Sequence, residues 1–70
     1  MKLSQHEKIL NYIDQFGSIT TMEAFNDLGI TKLATRVSEL IRDGFPIQKD
    51  LEHGTNRFGE STHYMRYSIA

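Results

Sequence analysis

The chain has 70 residues and a formal net charge of −1, with one proline, no cysteine and no tryptophan. This length suits one domain with a thin core and leaves no room for a two-substrate enzyme carrying its own cofactor fold. The missing cysteines exclude disulfides and thiolate zinc sites, and no apolar run exceeds two residues, so the expectation is a folded cytoplasmic protein without a membrane or signal segment.

Ser4 and Glu7 have the spacing of a capping box, in which each side chain answers a free backbone N–H at a helix start. His6, Ile9, Leu10, Ile13 and Phe16 recur every three or four residues, which predicts a helix over 5–16 with one apolar stripe. Gly17 suits the left-handed position just past its end. Ser18 and Ile19 form a short link able to pair as a minimal strand. A second capping box, Thr20 with Glu23, predicts a short helix with Ala24, Phe25 and Leu28 inward and Gly29 as its stop. Thr31 has the chemistry of the next N-cap. The third helix is predicted over 32–43, with Leu33, Ala34, Val37, Leu40 and Ile41 as its stripe and Gly44 closing it. Beyond Gly44 the period shortens. Phe45, Ile47 and Leu51 alternate with Pro46, Gln48 and Asp50 as a strand, although Lys49 interrupts the inward row. Residues 52–61 are polar, carry Gly54 and Gly59, and predict a loop. Residues 63–69 predict a second strand, with Met65, Tyr67 and Ile69 on one face and Tyr64, Arg66 and Ser68 on the other.

The stretch from Met22 to Leu40 resembles a helix-turn-helix: Ala24 lets two helices approach, Gly29 permits the turn, and Ile30 fills the space between them. Ala24 precedes Gly29 by five residues, one more than the commonest spacing, a longer turn that winged variants tolerate. The run from Gly17 to Ala24, with Leu28, Gly29 and Ile30 and then Leu40, Gly44 and Ile47, is similar to small winged helix-turn-helix proteins of bacteriophages and prophages. The resemblance covers roughly Leu3 to Ile69. It implies an α+β fold, a three-helix helix-turn-helix core followed by a two-stranded β-hairpin wing, as one winged helix domain over 1–70. The implied function is sequence-specific binding of double-stranded DNA, in transcription control or as an accessory factor in recombination.

With Leu33, Val37, Leu40 and Ile41 inward, the third helix turns Thr31, Lys32, Thr35, Ser38, Glu39 and Arg42 outward, with Arg36 on a flank. Lysine and arginine suit guanine, a threonine methyl suits thymine, and glutamate accepts from cytosine, so this face has the chemistry of major-groove readout. Lys32 and Thr35 stand at the N-terminal end, where base contacts of such helices concentrate. Thr20, Thr21 and Thr31 mark helix starts whose N–H groups suit phosphate. Asn56 and Arg57 form the expected wing tip, aimed at a minor groove or backbone, with Lys49 and His53 as further phosphate contacts.

Charge limits this expectation. Residues 1–30 carry two basic and four acidic side chains, and residues 31–70 carry six basic and five acidic, so neither part is a basic stripe. Useful affinity is then expected to need a homodimer, adjacent copies or a protein partner. A different class stays open: a winged helix docking on a protein, as inhibitor or adaptor of a host or phage enzyme. The acidic first part, Glu39, Phe58 and Tyr64 favour it.

Enzyme chemistry has little support. The run from Gly54 to Ser61 copies the glycine and serine spacing of a P-loop, but Glu60 replaces the required lysine and no helix follows. His6, His53 and His63 are not at metal-ligand spacing; His53 and His63 can approach across the hairpin, but two ligands do not make a site. No nucleophile elbow is present. The expectation is a non-enzymatic protein without cofactor or metal.

Overall fold

Helix α1 spans Gln5–Phe16, strand β1 Ile19–Thr20, helix α2 Thr21–Leu28, helix α3 Leu33–Arg42, strand β2 Ile47–Thr55 and strand β3 Ser61–Ile69, in a computed structural model that describes residues 3–70. Of the two expected capping boxes, the one at Thr20 forms in full and the one at Ser4 only in its Ser4 half, with no return bond from the Glu7 side chain among the described residues. Ser4 Oγ accepts the Glu7 N–H at 3.2 Å. Thr20 Oγ1 accepts the Glu23 N–H at 3.3 Å while Glu23 Oε1 accepts the Thr20 N–H at 2.9 Å, a reciprocal capping box.

Helix α3 starts differently from its expected form. Its N-cap is Lys32 rather than Thr31, and no side chain caps it. The turn before it explains the shift. Gly29 has φ 70°, which a residue with a Cβ adopts only under strain, and its N–H bonds to the Phe25 carbonyl at 3.1 Å. The Ile30 N–H reaches the Ala24 carbonyl at 3.0 Å, which swings the Ile30 side chain into the core at 1% exposure. Burial of Ile30 and Leu33 therefore sets where α3 begins, and Thr31 is left exposed on the turn.

The core joins Ile9, Tyr12 and Ile13 of α1, Ile19 of β1, Ala24 of α2, Ile30, Leu33, Val37 and Leu40 around α3, and Tyr67 of β3. Phe16 and Phe25, expected inward, are 67% and 55% exposed, and Ala34 and Ile41 also face solvent. Phe16, the last residue of α1, sets its ring against Tyr12 instead, with ring centres 4.6 Å apart and planes tilted by 46°. Tyr12, absent from the expected stripe, takes the core position because its hydroxyl has a partner. It donates to Asp27 Oδ2 at 2.5 Å, joining α1 to α2.

That bond to Asp27, with burial and the nearby Glu23 and Asp27 charges, pushes the Tyr12 hydroxyl up to about 12. A folded value above the ordinary 10.0 means that the native state holds this proton more tightly than the unfolded chain does. Its stabilising contribution is complete below about pH 10 and is lost as pH rises toward about 12. Denaturation midpoints across this window should fall more steeply for wild type than for Tyr12→Phe; parallel curves would sink the assignment.

The sheet is antiparallel with order β1-β3-β2, so it has three strands where a two-stranded hairpin was expected. The Ser18–Ile19 link supplies the third, displaced by one residue: Ile19 pairs with Tyr67 and Thr20 with Arg66. The hairpin is also longer than expected. Pairing runs from Ile47↔Ile69 to Thr55↔Ser61, so residues 52–55 and 61–62 are strand and only 56–60 form the turn. Hydrophobic alternation marks a strand that has one buried face. The outer part of this hairpin has one exposed face and one half-buried face made of Glu52, Gly54 and Thr62, which are not hydrophobic, so its pairing leaves no such pattern. Gly54 belongs to this outer part, where an added Cβ would lie 3.3 Å from Thr62 Oγ1. The molecule extends 42 Å along its longest axis and 24 × 21 Å across.

Candidate nucleic-acid interface

Burying Leu33, Val37 and Leu40 at 100° per residue points Thr35 and Arg42 directly away from the core with Ser38 to one side of them, and all three are exposed. Thr31 and Lys32 are exposed at the N-terminal end of the same helix. Glu39 does not join this strip. It faces α1, where His6 Nε2 donates to Glu39 Oε1 at 2.9 Å and Arg36 Nε stands 3.3 Å from the same oxygen. Arg36 and Glu39 are both about one-third exposed, and the buried Arg36 Nε has no hydrogen-bond partner among the described residues. The Glu39 carboxyl is held below the usual carboxylate range by the His6 hydrogen bond, against burial, with help from the charges of Arg36, His6 and Arg42. Sequence periodicity placed Glu39 on the outward side, but the contact that decides its role comes from a residue 33 positions away.

At the wing tip, Asn56 is committed to the turn. Its Oδ1 accepts the N–H groups of Phe58 and Glu60 at 2.9 and 3.0 Å, and its Nδ2 donates to Glu60 Oε1 at 3.1 Å. These bonds hold Arg57 and Phe58 at the apex; both are exposed, Phe58 at 84%. Lys49 stands opposite Tyr67 on β2 and is exposed.

The base of the wing carries a residue that the sequence marked only as polar-facing. Arg66 bonds through Nε to Glu52 of β2 and through Nη1 to Ser18 Oγ at 2.9 Å, and its Nη1 lies 3.7 Å from Glu23 Oε1. The Glu52 bond raises the Arg66 guanidinium further above its ordinary value, so it is a permanent cation. Glu23 Oε1 is the same atom that caps α2. One guanidinium thus ties the residue just before β1, the start of α2, β3 and β2 together. No local sequence pattern carries this signal, because the partners are spread from Ser18 to Glu52, all distant from Arg66 in the chain.

Between the start of α2 and β3 runs an open groove of about 360 Å³, lined by Thr20, Thr21, Met22, Glu23, Thr62, His63, Tyr64 and Arg66. Thr21 is exposed beside it, whereas Thr20 is buried and its N–H is taken by Glu23.

Of the six basic residues in 31–70, Arg36 and Arg66 are ion-paired, whereas Lys32, Arg42, Lys49 and Arg57 make no ion pair among the described residues. Two lie on α3 or its cap and two on the hairpin. The run from Gly54 to Ser61 is a hairpin turn with its flanking strand ends, followed by strand rather than helix. Among the described residues, no group of three or more histidine or carboxylate side chains is placed to hold a metal ion, and no helix is long and apolar enough to cross a membrane.

Three helices, a three-stranded antiparallel sheet and a projecting hairpin define a winged helix architecture. The sequence profile of the winged helix-turn-helix domain family matches residues 4–70, and the chain belongs to that family, whose members generally bind DNA. No curated protein and no solved structure matches the chain.

Proposed function

We propose that this protein is a sequence-specific binder of double-stranded DNA, acting as a phage- or prophage-type regulator or recombination accessory factor. In this reading α3 lies in the major groove with Thr35, Ser38 and Arg42 toward base edges and Lys32 and Thr31 at its leading end. The wing brings Arg57, and Lys49 behind it, to backbone or minor groove. The observation that carries the reading is the outward face of α3: polar, exposed, and free of internal partners at Thr35, Ser38 and Arg42 among the described residues. Arg36 and Glu39 act from the flank, Glu39 mainly as an anchor to His6. Asn56 shapes the tip that presents Arg57.

Fluorescence anisotropy against a library of duplexes, at low and moderate salt, tests this reading. The few unpaired cations predict a salt slope on the order of −2 to −4, a weak electrostatic contribution for a DNA-binding domain. Thr35→Ala should change preference at one base pair by about 1–3 kcal/mol. Arg57→Ala should weaken binding across all sequences instead. Absence of binding to any duplex at low salt would overturn the proposal. It would favour the protein-docking alternative, for which the aromatic ring of Phe58 at the wing apex is the specific support.

A further inference from the structure

His53 and His63 face each other directly across β2 and β3, on one face of the hairpin, and both are exposed. Their ring centres are 4.6 Å apart with planes at 69°, and neither ring makes a hydrogen bond among the described residues. The same face carries the Leu51↔Met65 pair on one side and Thr55↔Ser61 on the other, so no charged side chain in either neighbouring cross-strand pair shares it. Two imidazoles left without partners at this distance are a ligand pair as well as an aromatic contact.

We propose that His53 and His63 form a two-imidazole clip for a divalent transition-metal ion on the wing, with water completing the coordination. A metal–nitrogen bond of about 2.0–2.1 Å puts each ring centre about 3.2 Å from the ion. Two rings then stand about 4.5 Å apart when the N–metal–N angle is a right angle, and about 5.2 Å apart at the tetrahedral angle. The observed 4.6 Å is within reach of both, so the pair has the span of a two-imidazole site. Among divalent first-row ions Cu(II) leads in intrinsic affinity for nitrogen ligands, so it is the ion this pair favours. Rotation about the Cβ–Cγ bonds of two exposed side chains brings one nitrogen of each ring onto a shared ion. The strand pairing holds both Cβ atoms in place beforehand, so little backbone order is lost on binding. A bound divalent ion adds two positive charges to a chain whose net charge is −1.

The site does not depend on the DNA-binding reading, and its test uses no DNA. Cu(II) is titrated into the full chain near neutral pH by calorimetry, and the loaded protein is examined by pulsed electron paramagnetic resonance. The expected result is one tight Cu(II) per chain with two coupled imidazoles. Changing either ligand, as His53→Ala or His63→Ala, should weaken binding by at least about tenfold and leave one coupled imidazole. Because both residues are exposed, each variant should keep the wild-type circular dichroism spectrum. Equal affinity in wild type and His63→Ala, or a spectrum with a single imidazole in the wild type, overturns the clip and leaves the pair as an aromatic contact only.

Discussion

Leu33→Ala is expected to lower the stability of the chain by about 2–5 kcal/mol, the range for truncating a fully buried leucine whose cavity does not collapse. A 70-residue domain has roughly 4–10 kcal/mol in total, so this substitution removes a large share of it. Leu33 matters more than its size suggests. It is 1% exposed at the first position of α3, and no side chain caps that end of the helix. Packing of Leu33 and Ile30 substitutes for the cap, so the truncated helix should fray where Lys32 and Thr35 are presented. Urea denaturation measures the loss. Ile41→Ala, on the same helix but 39% exposed, is the comparison and should cost less than half as much. Equal effects at the two positions would show that the start of α3 is held by something other than the core. In a DNA titration Leu33→Ala should weaken binding even under conditions where the variant remains folded.

The second large effect is expected at Arg66. Replacement by methionine keeps much of the stem and removes the guanidinium, leaving Glu52, Glu23 and Ser18 without their shared donor. Hydrogen bonds to charged groups contribute about 1.5–3 kcal/mol each when sheltered, and partial exposure at Arg66 reduces this to about 1–2 kcal/mol for the cluster. Arg66 lies 34% exposed where the hairpin leaves the core, so the consequence is also geometric. The capping carboxylate of Glu23 loses its cation, and β2 loses its tie to Ser18 and α2. Amide hydrogen exchange should therefore quicken at Thr20–Glu23 and Glu52–Tyr64 together, while the α1–α3 interior stays protected. Arg66→Lys, which keeps the charge but not the forked donors, should recover only part of the loss. If exchange rises in one of those segments alone, Arg66 is a local surface ion pair rather than a clasp.

The two clusters outside the core, His6–Glu39–Arg36 and Arg66–Glu52–Glu23, have the same consequence for function. Each uses charge to set the angle between elements: the first fixes α3 against α1, the second fixes the wing against α2. They also account for two of the six basic side chains in 31–70. Within 31–70 the charge available to an anionic partner is accordingly smaller than composition indicates and is confined, among the described residues, to Lys32, Arg42, Lys49 and Arg57.

By itself the sequence determined the three helices, the glycine stops at Gly17, Gly29 and Gly44, the capping box at Thr20 and Glu23, and the burial of Ile9, Ile13, Ala24, Ile30, Leu33, Val37 and Leu40. These are local properties: a cap acts over three residues, a left-handed glycine over one, and an amphipathic stripe repeats within a few turns. The outward face of α3 was legible for the same reason. Tertiary structure alone decided the third strand, the full reach of the hairpin, the choice of Tyr12 over Phe16 for the core, and the partners of Glu39 and Arg66. Each depends on a contact between residues distant in the chain or on how far a covering element extends. A two-residue strand has no period to detect, and a hairpin end whose half-buried face is Glu52, Gly54 and Thr62 has no hydrophobic alternation. The net charge of −1 was the same before and after folding; what the fold supplied was the pairing that decides which charges remain exposed to a partner.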